Sequence, residues 1–300
     1  MPIDSSAKAP DDLRDSQPNP PTGLLLVSTP IGNLADISER ARHSLAACDI
    51  ILCEDTRRTG RLLSAFDIHV RMEALHDHNE EARIPAVLAR LKANQRVGLV
   101  TDAGTPIVSD PGYRLVRAVV AAGLPVTAIP GPNAAVTALI LSALPPAPFL
   151  FLGFPQARKA ARRAQFSQLR SAERAGLAAT MIWYEAPHRL TETLIDLLEV
   201  FGNRPAAVAR ELTKRFETVK RDSLERLIEH FRQEPARGEI TVLVSPPEDD
   251  DLEDLDGQLR QTLATHSVKD AAALVSAATG LPRKTVYARA LQLAGEPKSS

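Results

Sequence analysis

The sequence predicts an α/β protein of two domains with a small helical tail. Short apolar runs alternate with longer amphipathic stretches from Gly23 to Val244, the rhythm of strands and the helices that cover them. A stiff break, Ala143-Leu-Pro-Pro-Ala-Pro148, interrupts that rhythm once. An acidic run at 248–256 holds seven carboxylates and precedes a last helical segment. The domains read as 23–146 and 147–247, with an acidic linker at 248–257 and a helix-turn-helix-like tail at 258–296. Residues 1–22, polar and rich in proline, read as a disordered leader.

In the first domain the strands are 24–27, 50–53, 97–100 and 126–129. Runs such as Ile50-Ile-Leu-Cys53 are apolar without alternation, as in parallel strands buried on both faces. Helices follow at 36–47, 56–65, 82–92, 113–122 and 134–141. In Ser109-Asp-Pro-Gly112, Asp110 reads as the N-cap and Pro111 as the first helical residue. In the second domain strands are read at 149–152, 179–184, 206–209, 216–219 and 240–244, with helices at 158–170, 187–200 and 224–232. The close spacing of the later strands predicts a mixed sheet. The tail reads as a helix at 268–278, a turn at Thr279-Gly-Leu-Pro282 and a helix at 285–293 that offers Arg283, Lys284 and Arg289.

Composition narrows the function. No apolar run approaches the roughly 20 residues needed to span a membrane. Two neighbouring cysteines, Cys48 and Cys53, give no disulfide framework and suit a reducing cytoplasm. Aromatic residues make up only 4%, against a protein that relies on stacking platforms for single-stranded nucleic acid. Outside its acidic run the chain is mildly basic.

Common signatures fail. There is no G-x-G-x-x-G, and Lys284-Thr285 lacks the glycine of a phosphate-binding loop. No G-x-S-x-G occurs. His76, His78, Cys48 and Cys53 do not follow a zinc spacing, so no metal is expected. What remains is a set of special loops after strands: Ser28 to Asn33, Glu54 to Thr59, Thr101 to Gly112 and Pro130 to Asn133. Tyr184 to Arg189 and Arg210 to Lys214 follow in the second domain. A parallel sheet brings the first four to one edge, where ligands bind in open α/β folds.

These loops resemble the tetrapyrrole methylase superfamily. Val27-Ser-Thr-Pro-Ile-Gly-Asn-Leu34, Cys53-Glu-Asp-Thr-Arg57, Thr101-Asp-Ala-Gly-Thr-Pro-Ile-Val-Ser-Asp-Pro-Gly112 and Tyr184-Glu-Ala-Pro-His-Arg189 carry the resemblance. Within the superfamily they are most similar to the branch that methylates the ribose 2′-oxygen of a cytidine in the decoding region of 16S ribosomal RNA. The resemblance implies two α/β domains with S-adenosylmethionine in a cleft between them, and a homodimer. It implies cofactor contacts at Asp102, Ala103, Gly104, Ile107, Val108, Ala134, Ala135, Tyr184, Leu212 and Thr241. It also implies 16S ribosomal RNA and the small ribosomal subunit as partners.

A ribose hydroxyl is a weak nucleophile, so a carboxylate base would help. Among Glu54, Asp55, Asp102 and Glu185 at the loop edges, Asp55 and Glu185 are the chosen candidates, although Asp55 also reads as a helix N-cap. Arg158, Lys159, Arg162 and Arg163 fall on one helix face and suit RNA phosphates, with few acids nearby in sequence. Arg57, Arg58, Arg61, Arg189, Lys214 and Arg215 extend that set. Two other readings stay open: a precorrin or other tetrapyrrole methylase on the same fold, and a non-catalytic nucleic-acid-binding regulator built around the tail.

Overall fold

The computed structural model describes residues 20–247, 250–279 and 283–295. Most of the leader and the turn at 280–282 lie outside the described residues. By internal packing the chain divides into two units, residues 1–133 and 134–300.

The first unit is built on five parallel strands: β1 (Gly23–Val27), β2 (Ile50–Cys53), β3 (Met72–Ala74), β4 (Arg96–Leu99) and β5 (Val126–Ile129), in the order β3-β2-β4-β1-β5. Strand β3, with the mixed sequence Met-Glu-Ala, escapes the apolar-run criterion and is paired only through Ile51 to Cys53 of β2. Alternation sorts the side chains. Leu25, Val27, Ile51 and Cys53 pack with Ala41 and Leu45 of α1 (Glu39–Ala46) and Leu63 of α2 (Thr56–Ser64). Leu24, Ile50, Leu52, Val97 and Leu99 pack with Val87 and Leu91 of α3 (Glu80–Lys92) and Leu115 and Val119 of α4 (Tyr113–Ala121).

The neighbouring strands β2 and β4 therefore send their helices to opposite faces. Such a switch point opens a crevice beyond the carboxyl ends of the strands. Both cysteines are buried, and burial pushes the Cys48 thiol up to about 12, which leaves it inert at neutral pH.

One local expectation needs correction. Asp110 does not cap α4. The cap position is Gly112, at φ +123°, and it offers no side chain. The amide of Leu115, which a cap would satisfy, instead donates to Oε1 of the buried Glu80 at 2.9 Å. A carboxylate from the start of α3 thus performs the task, and Asp110 is left for other use.

The second unit begins one helix earlier than the proline-rich break. Helix α5 (Ala134–Ser142) packs against β8 (Pro205–Arg210) and β10 (Ile240–Val244) of the second sheet, which is why it belongs there. That sheet runs β6 (Phe149–Phe151), β7 (Thr180–Glu185), β10 (Ile240–Val244), β8 (Pro205–Arg210) and β9 (Thr218–Ser223), and only the β6–β7 pair is parallel. The mixed sheet is as predicted. Met181, Trp183, Val208 and Val242 form a core with Phe166 of α6 (Lys159–Arg174), Leu194, Leu197 and Phe201 of α7 (Leu190–Phe201), and Leu227 and Phe231 of α8 (Leu224–Gln233).

Among the described residues the tail has three helices: α9 (Asp250–Leu263), α10 (Val268–Thr279) and α11 (Arg283–Gly295). They share a small core of Leu259, Ala272, Val275, Val286, Ala290 and Leu293. The acidic stretch, read as a linker, is helical from Asp250. Part of it does structural work, because Asp256 accepts from Arg289 Nε at 2.8 Å. Arg289 is therefore engaged, whereas Arg283 and Lys284 are exposed. Among the described residues no helix is long and apolar enough to cross a membrane.

Candidate active site

Four loops meet at the carboxyl edge of the first sheet, and hydrogen bonds join them in pairs. Thr29, after β1, and Gly104, after β4, exchange main-chain hydrogen bonds at 2.8 and 3.1 Å. The Thr29 hydroxyl donates to the carbonyl of Thr101 at 3.3 Å. The Thr105 hydroxyl donates to the carbonyl of Pro132, after β5, at 3.1 Å. The main chain of Asp55, after β2, donates to Asp102 Oδ1 at 3.2 Å.

The loop after β4 is strained. Ile107 and Ser109 hold φ of +76° and +67°, and Gly104 and Gly112 hold +83° and +123°. A β-branched residue in this region is an outlier, costing on the order of 1–3 kcal/mol, and it persists only where the surroundings enforce it. The φ of Gly112 favours glycine, and a Cβ there would also crowd Leu99 Cδ2 at 2.7 Å. Backbone strain of this kind clusters at functional sites.

Carboxylates surround this loop. Asp102 pairs with Arg58 at 3.1 Å. An open pocket of about 540 Å³ is lined by Glu54, Asp55, Thr56, Arg57, Arg58, Ala74 and Asp102. Partial burial and then the nearby Asp102 and Asp77 push the Glu54 carboxyl above its ordinary range. Burial pushes Asp110 up to about 6, with the Thr101 side chain opposing and Glu54, Asp102 and Asp77 adding to the rise. Asp55 moves the other way. It caps α2 through the Arg57 amide at 2.8 Å and pairs with the Arg57 guanidinium, which holds its carboxyl low. A carboxylate so occupied is a poor proton acceptor.

In the second unit, Tyr184 of β7 and Thr241 of β10 face each other across the ladder, and Ala209 of β8 faces Thr241 from the other side. Leu212, buried, follows at the end of β8 between Glu211 at φ +52° and Thr213 at φ +64°. Three of the expected cofactor residues therefore share one end of this sheet. Ala134 and Ala135 open α5, with Ala135 buried. Ala103, Ile107 and Val108 are partly exposed, and Gly104 is buried.

A family profile described as Tetrapyrrole (Corrin/Porphyrin) Methylases matches residues 23–228. The chain belongs to this family. A second profile, described as RsmI C-terminal HTH domain, matches residues 249–294 of this methylase. A curated protein of Micromonospora olivasterospora named Ribosomal RNA small subunit methyltransferase I is 46% identical over 88% of this chain and 85% of its own. The protein of that name from Vibrio cholerae is 41% identical over 93% of this chain and 98% of its own. The solved structure of the methyltransferase CobJ shares the fold, with a TM-score of 0.56 at 19% identity over 75% of this chain and 94% of that one.

The remaining sequence candidates in the methylase fall into two sets. Glu185 is buried and fully committed: it pairs with Arg189 at 3.3 Å, accepts from the Ala186 amide at 2.7 Å and from the Thr193 hydroxyl. It fastens the end of β7 to the start of α7 and is not placed to take a proton. Arg189 shares that commitment, since its Nη2 also donates to the carbonyl of Pro155 at 2.8 Å. Lys214 donates to Glu211 at 2.8 Å and to Glu239 at 3.0 Å.

The expected basic face on α6 is only partly there. Arg162 is 1% exposed and bonds through Nε to the equally buried Asp196 at 2.8 Å. Arg163 pairs with Glu199, and Lys159 lies 3.9 Å from Asp196. Helix α7 supplies acids that spacing within α6 does not reveal. Arg158 is exposed and has no ion pair among the described residues. Arg57, Arg58 and Arg61 are exposed on α2, and Arg215 lies over the exposed ring of Phe216.

Two residues gain importance from the geometry. Glu54 is one of four carboxylates at the loop edges and the one of those four that both lines the pocket and has a raised pKa. Phe154 carried no sequence signal beyond its place after the glycine that ends the first strand of the second sheet.

Proposed function

We propose that this chain transfers a methyl group from S-adenosylmethionine to the ribose 2′-hydroxyl of a cytidine in the decoding region of 16S ribosomal RNA. The reading rests above all on the loop from Thr101 to Gly112, whose strained backbone is pinned to Thr29 and Pro132 and bordered by Asp102. The relatives that span nearly the whole chain are named for small-subunit RNA methylation, which favours RNA over a tetrapyrrole. The tail profile points the same way.

The loop suits this cofactor. Main-chain donors and acceptors can serve a zwitterion that also carries a sulfonium. When bound, the cofactor supplies an electrophilic methyl group. Asp102, with the backbone of Ala103, Gly104, Ile107 and Val108, binds and orients it, and Ala134, Ala135, Tyr184, Leu212 and Thr241 belong to the same assignment. Holding the acceptor oxygen in line with the methyl group is the main source of acceleration. Glu54 takes the hydroxyl proton in this scheme, because it lines the pocket, and desolvation and then its acidic neighbours raise its proton affinity. Arg57, Arg58, Arg61, Arg158 and Lys159 hold phosphates. A homodimer in the cytoplasm belongs to the same reading.

Deleting the gene and mapping ribose methylation across small-subunit RNA tests the proposal. One 2′-O-methylated cytidine should disappear and return on complementation with the wild type. An unchanged methylation profile overturns the reading.

A further inference from the structure

We propose that Phe154 stacks on one unpaired nucleobase of the RNA while Arg158 holds a neighbouring phosphate. The inference rests on the RNA reading above.

Phe154 is 54% exposed, although its backbone is held from both sides. Gly153, at φ +66°, turns the chain out of β6, and its carbonyl accepts from the Tyr184 amide at 3.0 Å. The carbonyls of Pro155 and Gln156 accept from Arg189, which is itself fixed by Glu185. Gln156 donates its amide to Gln165 Oε1 at 3.3 Å. A segment pinned this firmly has lost its conformational freedom, yet it leaves a large apolar ring in water. A ring held out in this way is preorganised for a partner.

The ring is not isolated. It meets Tyr184 edge to face at 5.7 Å, and Tyr184 meets Phe151 at 4.8 Å. In a chain with so few aromatic residues, three together are informative. The composition argues against a platform for many bases, but one base needs one exposed ring on a rigid support. The adjoining charge identifies the partner. Arg158 and Lys159, at the start of α6, are exposed, while Arg162 and Arg163 are spent on α7. An exposed aromatic ring four residues before Arg158, a cation with no ion pair among the described residues, suits an unstacked base and its phosphate, and RNA is read chiefly through such splayed bases.

The test uses the full-length protein with small ribosomal subunits purified from a strain lacking the gene. F154A should raise KM for subunits roughly tenfold to a hundredfold, the scale of one lost base stack. Calorimetry with S-adenosylmethionine alone should give a Kd within about twofold of wild type. F154W should recover most of the loss. R158E should raise KM and flatten its dependence on salt. An unchanged KM in F154A, or a cofactor Kd that rises with it, overturns the assignment. A wild-type protein that methylates no subunits overturns the RNA reading itself.

Discussion

The main-chain N–H of Asp55 donates to Oδ1 of Asp102 at 3.2 Å, so the turn after β2 and the loop after β4 are held as one piece. Arg58 closes the arrangement by pairing with Asp102 Oδ2 at 3.1 Å. The bond spans the point where neighbouring strands send their helices to opposite faces, so the candidate site is fastened where the sheet opens.

Replacing Asp102 should separate binding from folding. D102A should weaken S-adenosylmethionine binding by about tenfold or more, the scale of one lost charge-assisted contact, and lower stability by about 1 kcal/mol. D102N keeps an acceptor for the Asp55 amide and should lose less of both. Calorimetry and thermal unfolding check this, and a cofactor Kd unchanged in D102A would remove Asp102 from the site.

Glu54 offers a kinetic test. E54Q should lower kcat by about a hundredfold or more while leaving the cofactor Kd unchanged. The carboxylate accepts a proton only when ionised, so wild-type activity should fall as pH drops through the raised pKa of Glu54. That acid limb should be missing from the E54Q profile. A limb that persists assigns the titration to another group.

Asp110 makes a prediction about stability. Its folded pKa is raised to about 6 from an unfolded value near 3.8, so the folded state binds the proton more tightly. Stability then falls as pH rises between those values, and above about 6 the ionised group is a burden. D110N mimics the protonated acid. It should raise Tm at pH 7.5, by a stabilisation on the order of 1 kcal/mol after allowance for solvent screening, and change little at pH 3.5. Equal shifts at both pH values would refute the linkage.

Arg158, the N-cap of α6, and Arg162, four residues on, should behave differently. R162M strands the buried Asp196 and should cost about 3–5 kcal/mol, while adding D196L should recover much of it. R158E should leave the denaturation midpoint near wild type and affect only RNA. Denaturant unfolding of the three proteins checks both, and a stable R162M would mean that the buried pair contributes little.

Much of this architecture was legible in the chain. Continuous apolar runs placed β1, β2, β4 and β10 because strands buried on both faces have no polar side to show. Asp55 as the cap of α2 and the convergence of four loops on one edge also followed, since a parallel sheet delivers all its strand ends to one side. Local pattern failed where the decisive partner is distant in sequence. Strand β3 has no apolar run of its own and exists through pairing with β2. Glu80 displaced Asp110 as the partner of the α4 amides because α3 and α4 pack side by side. Arg162 reads as a surface cation until α7 brings Asp196, 34 residues on, against it. Residue type and spacing determined which elements form and which loops carry chemistry, because those depend on neighbours along the chain. Only the tertiary structure decided which charges are spent and which remain available, because burial and ion pairing are set by residues that meet across the fold.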